Sequence, residues 1–202
     1  MRHSLTVPFL LLTLAIFSGM SSAQVVISEV DLANDKLEIV NIGTTSVDMS
    51  SWQLCNRVNG SPFYASMASQ SVDAGNSTST SLNLAPGELI TLNVGNFTPD
   101  ANGELGLYNS SSFGSTSAIE DYIAWGAIGT RDIVAAGAAI WMDDEFIDVS
   151  GIAPGETIQL IAGQPGNDKF DYSIAPSTLG SPQEGSVANE NSSWSKIRSA
   201  YD

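Results

Sequence analysis

Short runs of alternating apolar and polar residues fill this chain, separated at close intervals by turn-forming residues. Val25-Val26-Ile27-Ser28-Glu29-Val30 reads as a strand with a carboxylate inside it. Asn34-Asp35 makes a polar turn, and Leu37-Glu38-Ile39-Val40-Asn41 is a second strand. After Gly43 comes a tryptophan-bearing strand, Trp52-Gln53-Leu54-Cys55, which ends towards Asn59-Gly60, a strong turn dipeptide. Phe63, Tyr64 and Met67 predict a short edge element. The stretch from Ser69 to Ser81 is rich in Ser, Thr, Gly and Asn and reads as an exposed loop. Leu82-Asn83-Leu84 then leads through Ala85-Pro86-Gly87 into a strand over Glu88 to Val94.

The second half repeats this grammar. Asp100-Ala101-Asn102-Gly103 is a turn that opens a strand from Glu104 to Tyr108, and a second Ser/Gly loop spans Ser110 to Ser117. In Ile119 to Trp125, alternation puts Ile119, Asp121, Ile123 and Trp125 on one face and Glu120, Tyr122 and Ala124 on the other. Arg131 to Ala139 is rich in alanine and is the one place for a short helix. Ile140 to Val149 resumes as a strand or hairpin arm. Ala153-Pro154-Gly155-Glu156 repeats the earlier turn and feeds an apolar strand over Thr157 to Ile161, while Asn167 to Gln183 is turn-rich and carries Tyr172. Long helical periodicity is missing. Many short strands with frequent turns predict an all-β chain, an antiparallel β-sandwich with one short helix and long Ser/Gly-rich loops.

The two ends differ from this pattern. Arg2 and His3 precede an apolar run from Leu5 to Phe17, and Ser21-Ser22-Ala23 supplies the small residues that a signal peptidase reads before Gln24. The run is shorter than the about 20 residues a membrane span needs. The expected division is a cleaved signal peptide over 1–23, one domain over 24–183 and a polar tail over 184–202. Trp194 and Ile197 are the residues by which the tail would dock. The expected location is secreted or extracytoplasmic, without membrane insertion after cleavage.

Charge and residue counts then remove whole classes of chemistry. The chain carries 22 Asp+Glu against 7 Lys+Arg, a net charge of −15, and signal cleavage removes one of those positive residues. Such a surface repels nucleic acid and anionic lipid, both of which depend on basic contacts to phosphate. Cys55 is the one cysteine, so no internal disulfide forms despite the oxidising compartment. The one histidine, His3, leaves with the signal. A Ser-His-Asp triad, a Cys-His pair and a His-ligated zinc or copper site are therefore excluded.

Few residues remain as carriers of function. Glu29 and Glu38 sit inside apolar strands; they are a carboxylate pair, or solvent-facing positions, or carboxylates bonded to a neighbouring loop. Asn41 is placed to bond turn backbone. Asp143, Asp144, Glu145 and Asp148 form the densest anionic spot and are the candidate metal ligands, calcium being the cation that takes oxygen donors in a shaped loop. Asp100-Ala101-Asn102-Gly103-Glu104 is a looser version of such a loop. Trp52 and Trp125 alternate with apolar partners as core residues do, whereas Trp141, beside the acidic spot, is the candidate exposed aromatic for ligand binding. Cys55 reads as a small buried hydrophobe, the alternative being a reactive or intermolecular thiol that clean alternation points away from Trp52 and Leu54. No cofactor is expected, calcium being the one candidate ion.

Several segments, in order, resemble the lamin-tail domain, a module of nuclear lamins and of many bacterial secreted proteins. Ile27-Ser28-Glu29-Val30 followed by Leu37-Glu38-Ile39-Val40-Asn41 resembles its opening strand pair. Val47-Asp48-Met49-Ser50-Ser51-Trp52-Gln53-Leu54 is similar to its tryptophan strand, and Leu84-Ala85-Pro86-Gly87-Glu88 to its turn into a core strand. Asp121-Tyr122-Ile123-Ala124-Trp125-Gly126 resembles its late strand, and Asp171-Tyr172-Ser173 with Ser177-Thr178-Leu179-Gly180 the closing segment of bacterial members. The Ser-rich loops and the piece around Arg131 to Ala139 exceed the compact lamin version. The resemblance implies an immunoglobulin-like β-sandwich that is a binding or attachment module and not an enzyme. Its expected partner is an extracellular protein or glycan, and it is expected to be a monomer. The competing expectations are a calcium-stabilised adhesion or carbohydrate-binding module and a carboxylate-dependent hydrolase, which needs only two carboxylates.

Overall fold

A polar turn inside an apolar run starts the structure. The computed structural model describes residues 25–95, 97 and 101–181; the expected signal peptide and the expected polar tail lie outside them. β1 (Val25–Asp31) and β2 (Lys36–Asn41) pair antiparallel about Asn34-Asp35. Asp35 takes a left-handed φ of 55°, which short polar side chains tolerate better than most. The Asp31 carboxylate ties the turn by accepting from the Ala33 and Asn34 backbone N–H groups and from Asn34 Nδ2.

The chain continues through β3 (Val47–Asp48), β4 (Gln53–Val58), β5 (Ser61–Ser66), β6 (Ser71–Val72), β7 (Asn83–Leu84) and β8 (Leu89–Asn93). β9 (Gly103–Tyr108), β10 (Ile119–Trp125), the helix α1 (Asp132–Gly137), β11 (Glu156–Leu160) and β12 (Tyr172–Pro176) complete it. One sheet has the order β12-β11-β1-β2-β8-β6, the other β10-β9-β4-β5, and β3 pairs with β7 alone; every ladder is antiparallel. The run β1-β2-β8-β6 opposite β10-β9-β4-β5 has the strand order A-B-E-D against G-F-C-C′, that of an immunoglobulin-like β-sandwich. β11 and β12 extend the first sheet beyond β1. Leu37, Ile39, Leu54, Leu105, Leu107, Ile123 and Trp125 are among the buried residues of the shared core.

β1 changes partner halfway along. β11 reaches only Glu29 and Val30, and a register shift separates Ile27 from Glu29 on the β2 side. Side chains take over where the strand is missing. Asp121 of β10 accepts from Ile27 N at 2.5 Å, and the Tyr172 hydroxyl donates to Ile27 O at 3.1 Å. Buried backbone groups need such partners; the Asp121 bond fastens the two sheets together at the edge of β1, and the Tyr172 bond ties β12 to β1 within the first sheet. The bulge between Ile119 and Asp121 in β10 leaves Glu120 partly exposed and Asp121 buried. Burial pushes the Asp121 carboxyl well above the usual carboxylate range.

Three expectations need correction. Ile140 to Val149 is no strand; it touches the sheet through one bridge, Ile147 to Trp125, with Ile147 N donating to Ala124 O and Gly126 N to Ile147 O. Left-handed Ala139 and Asp144 and three consecutive acidic residues break the extended pattern there. The turn-rich stretch after Asn167 hides β12, an edge strand whose position lets it end on Pro176. Ser69 to Ser81 is only partly loop, since it holds β6 and a 3-10 turn over Ala74–Asn76 capped by the Asp73 side chain. Among the described residues no helix is long and apolar enough to cross a membrane.

Candidate functional site

Strand register assembles the first polar feature. Gln159 pairs with Glu29, Glu29 with Glu38, and Glu38 with Thr91, so four polar residues form one row across β11, β1, β2 and β8. All four are buried. The solvent-facing alternative for Glu29 and Glu38 therefore fails, and bonding to a neighbouring loop is what the structure shows. Glu29 Oε1 accepts from Thr157 Oγ1 and Ser177 Oγ at 2.8 Å each, and Oε2 accepts from Thr178 Oγ1 at 2.8 Å. The Thr178 backbone N–H adds a further bond to the same carboxylate. Glu38 accepts from Ser28 Oγ at 2.7 Å and from Gly180 N at 2.7 Å. Burial raises the Glu38 carboxyl to about 7, against the lowering effect of the Ser28 and Gly180 hydrogen bonds. Thr91 is closed over in turn by the turn before it: its N–H donates to Ser77 Oγ and its hydroxyl to Asn76 O.

The segment after β12 thus lies over the outer face of the larger sheet as a strap. Gly180 packs so closely that a Cβ there would meet Asn76 Cα at 2.7 Å, and its φ of 81° is one that side-chain-bearing residues rarely adopt. Two carboxylates held by hydroxyl and backbone donors under a covering strap are built to hold the strap in place. Asn41 behaves as expected of a turn-bonding residue, donating to Thr45 O and Leu84 O and accepting from Gly43 N.

The second feature lies on the connection between β10 and β11. Asp143 and Asp144 converge there on Asp132 of α1, one ligand atom from each lying within 4.8 Å of the others. Asp132 is not among the sequence candidates, because the alanine-rich helix pattern absorbs it. Asp144 N donates to Asp132 Oδ2 at 2.8 Å, while Asp132 Oδ1 is buried with no hydrogen-bond partner. The Asp132 carboxyl is raised to about 6, by burial first and then by the neighbouring Asp143 and Asp144 carboxylates, against the lowering effect of the Asp144 N–H.

The other candidates go elsewhere. Glu145 pairs with Lys169 at 3.3 Å. Asp148 is exposed and accepts from Ser150 N, which holds it below the usual carboxylate range. Trp141 is buried, not exposed. It is 2% accessible, packs against Tyr122 and Tyr172 with ring centroids 5.7 and 6.1 Å away, and donates Nε1–H to Glu145 O. The connection folds back on β10, and that removes its indole from any stacking role.

Glu104, the last residue of the looser acidic loop, is also committed. Its Oε2 accepts from the Tyr122 hydroxyl at 2.7 Å and from Arg131 N at 2.8 Å, and Oε1 lies 3.1 Å from Arg57 Nε. A buried carboxylate so paired is a strut between β9, β10 and the loop before α1, and Asp100 lies outside the described residues. Cys55 is buried as expected, and burial together with Glu104 pushes its thiol up to about 11.

No family model matches the chain, and no curated protein is similar to it. Among solved structures, the archaellum periplasmic stator protein complex FlaF and FlaG from Sulfolobus acidocaldarius is similar over 53% of this chain and 90% of that chain. The identity is 14% and the TM-score 0.31, so the likeness carries nothing about function. The class rests on this chain's own strand order, an immunoglobulin-like β-sandwich with an added strand pair.

Proposed function

We propose that this is an exported, non-catalytic β-sandwich of lamin-tail type whose work is binding or surface attachment outside the cytoplasm. The observation that carries this reading is the use of Glu29 and Glu38. They are the paired carboxylates that a histidine-free hydrolase would need, and both accept hydrogen bonds from the strap instead. The pairing joins the opening and closing segments that resemble the lamin tail, Ser28-Glu29 with Leu37-Glu38 and Ser177-Thr178-Leu179-Gly180. The N-terminal signal pattern supports export.

The contact surface lies on the β10–β11 connection and the loop before β12. Ile133, next in the chain to Asp132, is 75% exposed, Met142, next to Asp143, is also open to solvent, and Phe170, next to the Lys169 that pairs with Glu145, is 73% exposed. Large exposed apolar side chains suit a contact face better than water alone. Co-sedimentation of the purified chain, residues 24–202, with cell envelopes from its source tests this. Saturable retention that falls in a combined Ile133→Ser and Phe170→Ser variant is expected. Hydrolysis of a glycoside panel that disappears in Glu29→Gln would refute the non-catalytic reading.

A further inference from the structure

The connection between β10 and β11 holds three carboxylates, Asp132, Asp143 and Asp144, that no cation among the described residues neutralises. Among the described residues the ion pairs are Lys36 with Asp73, Arg57 with Glu104 and Lys169 with Glu145, and none involves this group. Asp132 is only 3% exposed, and its Oδ1 has no partner although its Oδ2 does. A buried carboxylate oxygen without a donor is costly unless something positive reaches it. Asp143 and Asp144 bring two more carboxylates to within 4.8 Å of it, both open to solvent. We propose that Asp132, Asp143 and Asp144 form a binding site for a divalent cation, calcium by the chemistry of its donors.

The donor set decides the class of ion. Three carboxylates and no nitrogen or sulfur select a hard cation, and calcium accepts an irregular set completed by water more readily than magnesium, which demands near-octahedral order. Asp132 supplies the anchored ligand and the two exposed aspartates admit the ion from solvent. A site so open falls with extracellular modules, for which dissociation constants are about 10⁻⁴–10⁻³ M. This inference does not depend on what the module binds or on whether it is of lamin-tail type.

Metal alone is the probe. The purified chain, stripped with chelator, is titrated with calcium and melted, and separately titrated with terbium while tryptophan is excited, because Trp141 lies in the same connection. The melting temperature is expected to rise by about 3–6 °C at a tenfold excess of calcium over its dissociation constant. Sensitised terbium emission is expected as well, displaced by calcium. Asp132→Asn and Asp143→Asn should each abolish both signals, and Asp148→Asn should leave both intact. Asp143 is exposed, so its variant reads the site even if Asp132→Asn fails to fold. No calcium shift and no emission would overturn the proposal, as would emission that survives both substitutions. So would an Asp132→Asn protein that melts higher than the metal-free parent while the parent ignores calcium; that result would mean the carboxylates share a proton instead.

Discussion

Replacing Glu38 with glutamine should make the protein more stable, and only above a certain pH. Glu38 is buried beside Glu29 and its carboxyl is raised from 4.5 to about 7, burial being the largest cause and the Glu29 charge a smaller one. The folded state therefore holds this proton more tightly than the unfolded chain does. Its contribution to stability is full below pH 4.5 and falls as pH rises towards 7, the loss being complete above that. At 1.36 kcal/mol for each pH unit between the two values, the loss approaches about 3 kcal/mol. The introduced glutamine would mimic the protonated side chain, its carbonyl accepting from Gly180 N and its amide donating to Ser28 Oγ. Parent and Glu38→Gln should then melt together near pH 4.5 and separate at about pH 8, the variant higher by about 6–12 °C. Calorimetry across that range is the assay. A difference that does not change with pH, or a variant that melts lower than the parent at the alkaline end, would refute the reasoning.

Contacts within the core and along the edge of β1 can also be tested. Tyr172→Phe removes the donor to Ile27 O and should lower stability by about 1–2 kcal/mol in urea titration, without changing the pH profile below about 9. Gly129→Ala would drive a Cβ onto the Tyr122 hydroxyl and the Glu104 carboxylate, and a loss of about 1–3 kcal/mol is expected by the same titration. Cys55, with its thiol pushed up to about 11, should be silent to a thiol reagent at about pH 8 and titrate fully once denaturant is added; fast labelling of the native protein would contradict the packing described.

The opening of the fold is open to reading because its signals are local. Alternation from Val25 to Asn41, the Asn34-Asp35 turn and the Trp52 strand depend on neighbours within a few residues, and the structure keeps them. The correct core placement of Trp125 has the same origin. The nearby acidic cluster misplaces Trp141, because Asp143, Asp144 and Glu145 are counted and not Tyr122 and Tyr172, which come from other strands. Asp132 is hidden for a related reason: its partner Asp144 is 12 positions on, across a helix and a tight turn. β12 is lost among Gly and Pro because an edge strand tolerates residues that a central strand would not. What alternation offers for Glu29 is a choice between water and a loop, and only the position of Thr178 decides it.

That choice has a consequence for the order in which the molecule comes together. Glu29 and Thr178 are 149 positions apart, and Ile27 and Tyr172 are 145. β1 is thus among the last strands to have its polar groups matched, because those donors lie 149 and 145 positions further along the chain. Contacts of such separation close slowly and late. Until the closing segment arrives, Glu29 lacks the donors of Ser177 and Thr178, Ile27 O lacks the Tyr172 hydroxyl, and Glu38 keeps Ser28 but not Gly180. The polar strap therefore makes completion of the first strand pair depend on the closing segment: β1 and β2 are covered only when Ser177, Thr178 and Gly180 are in place.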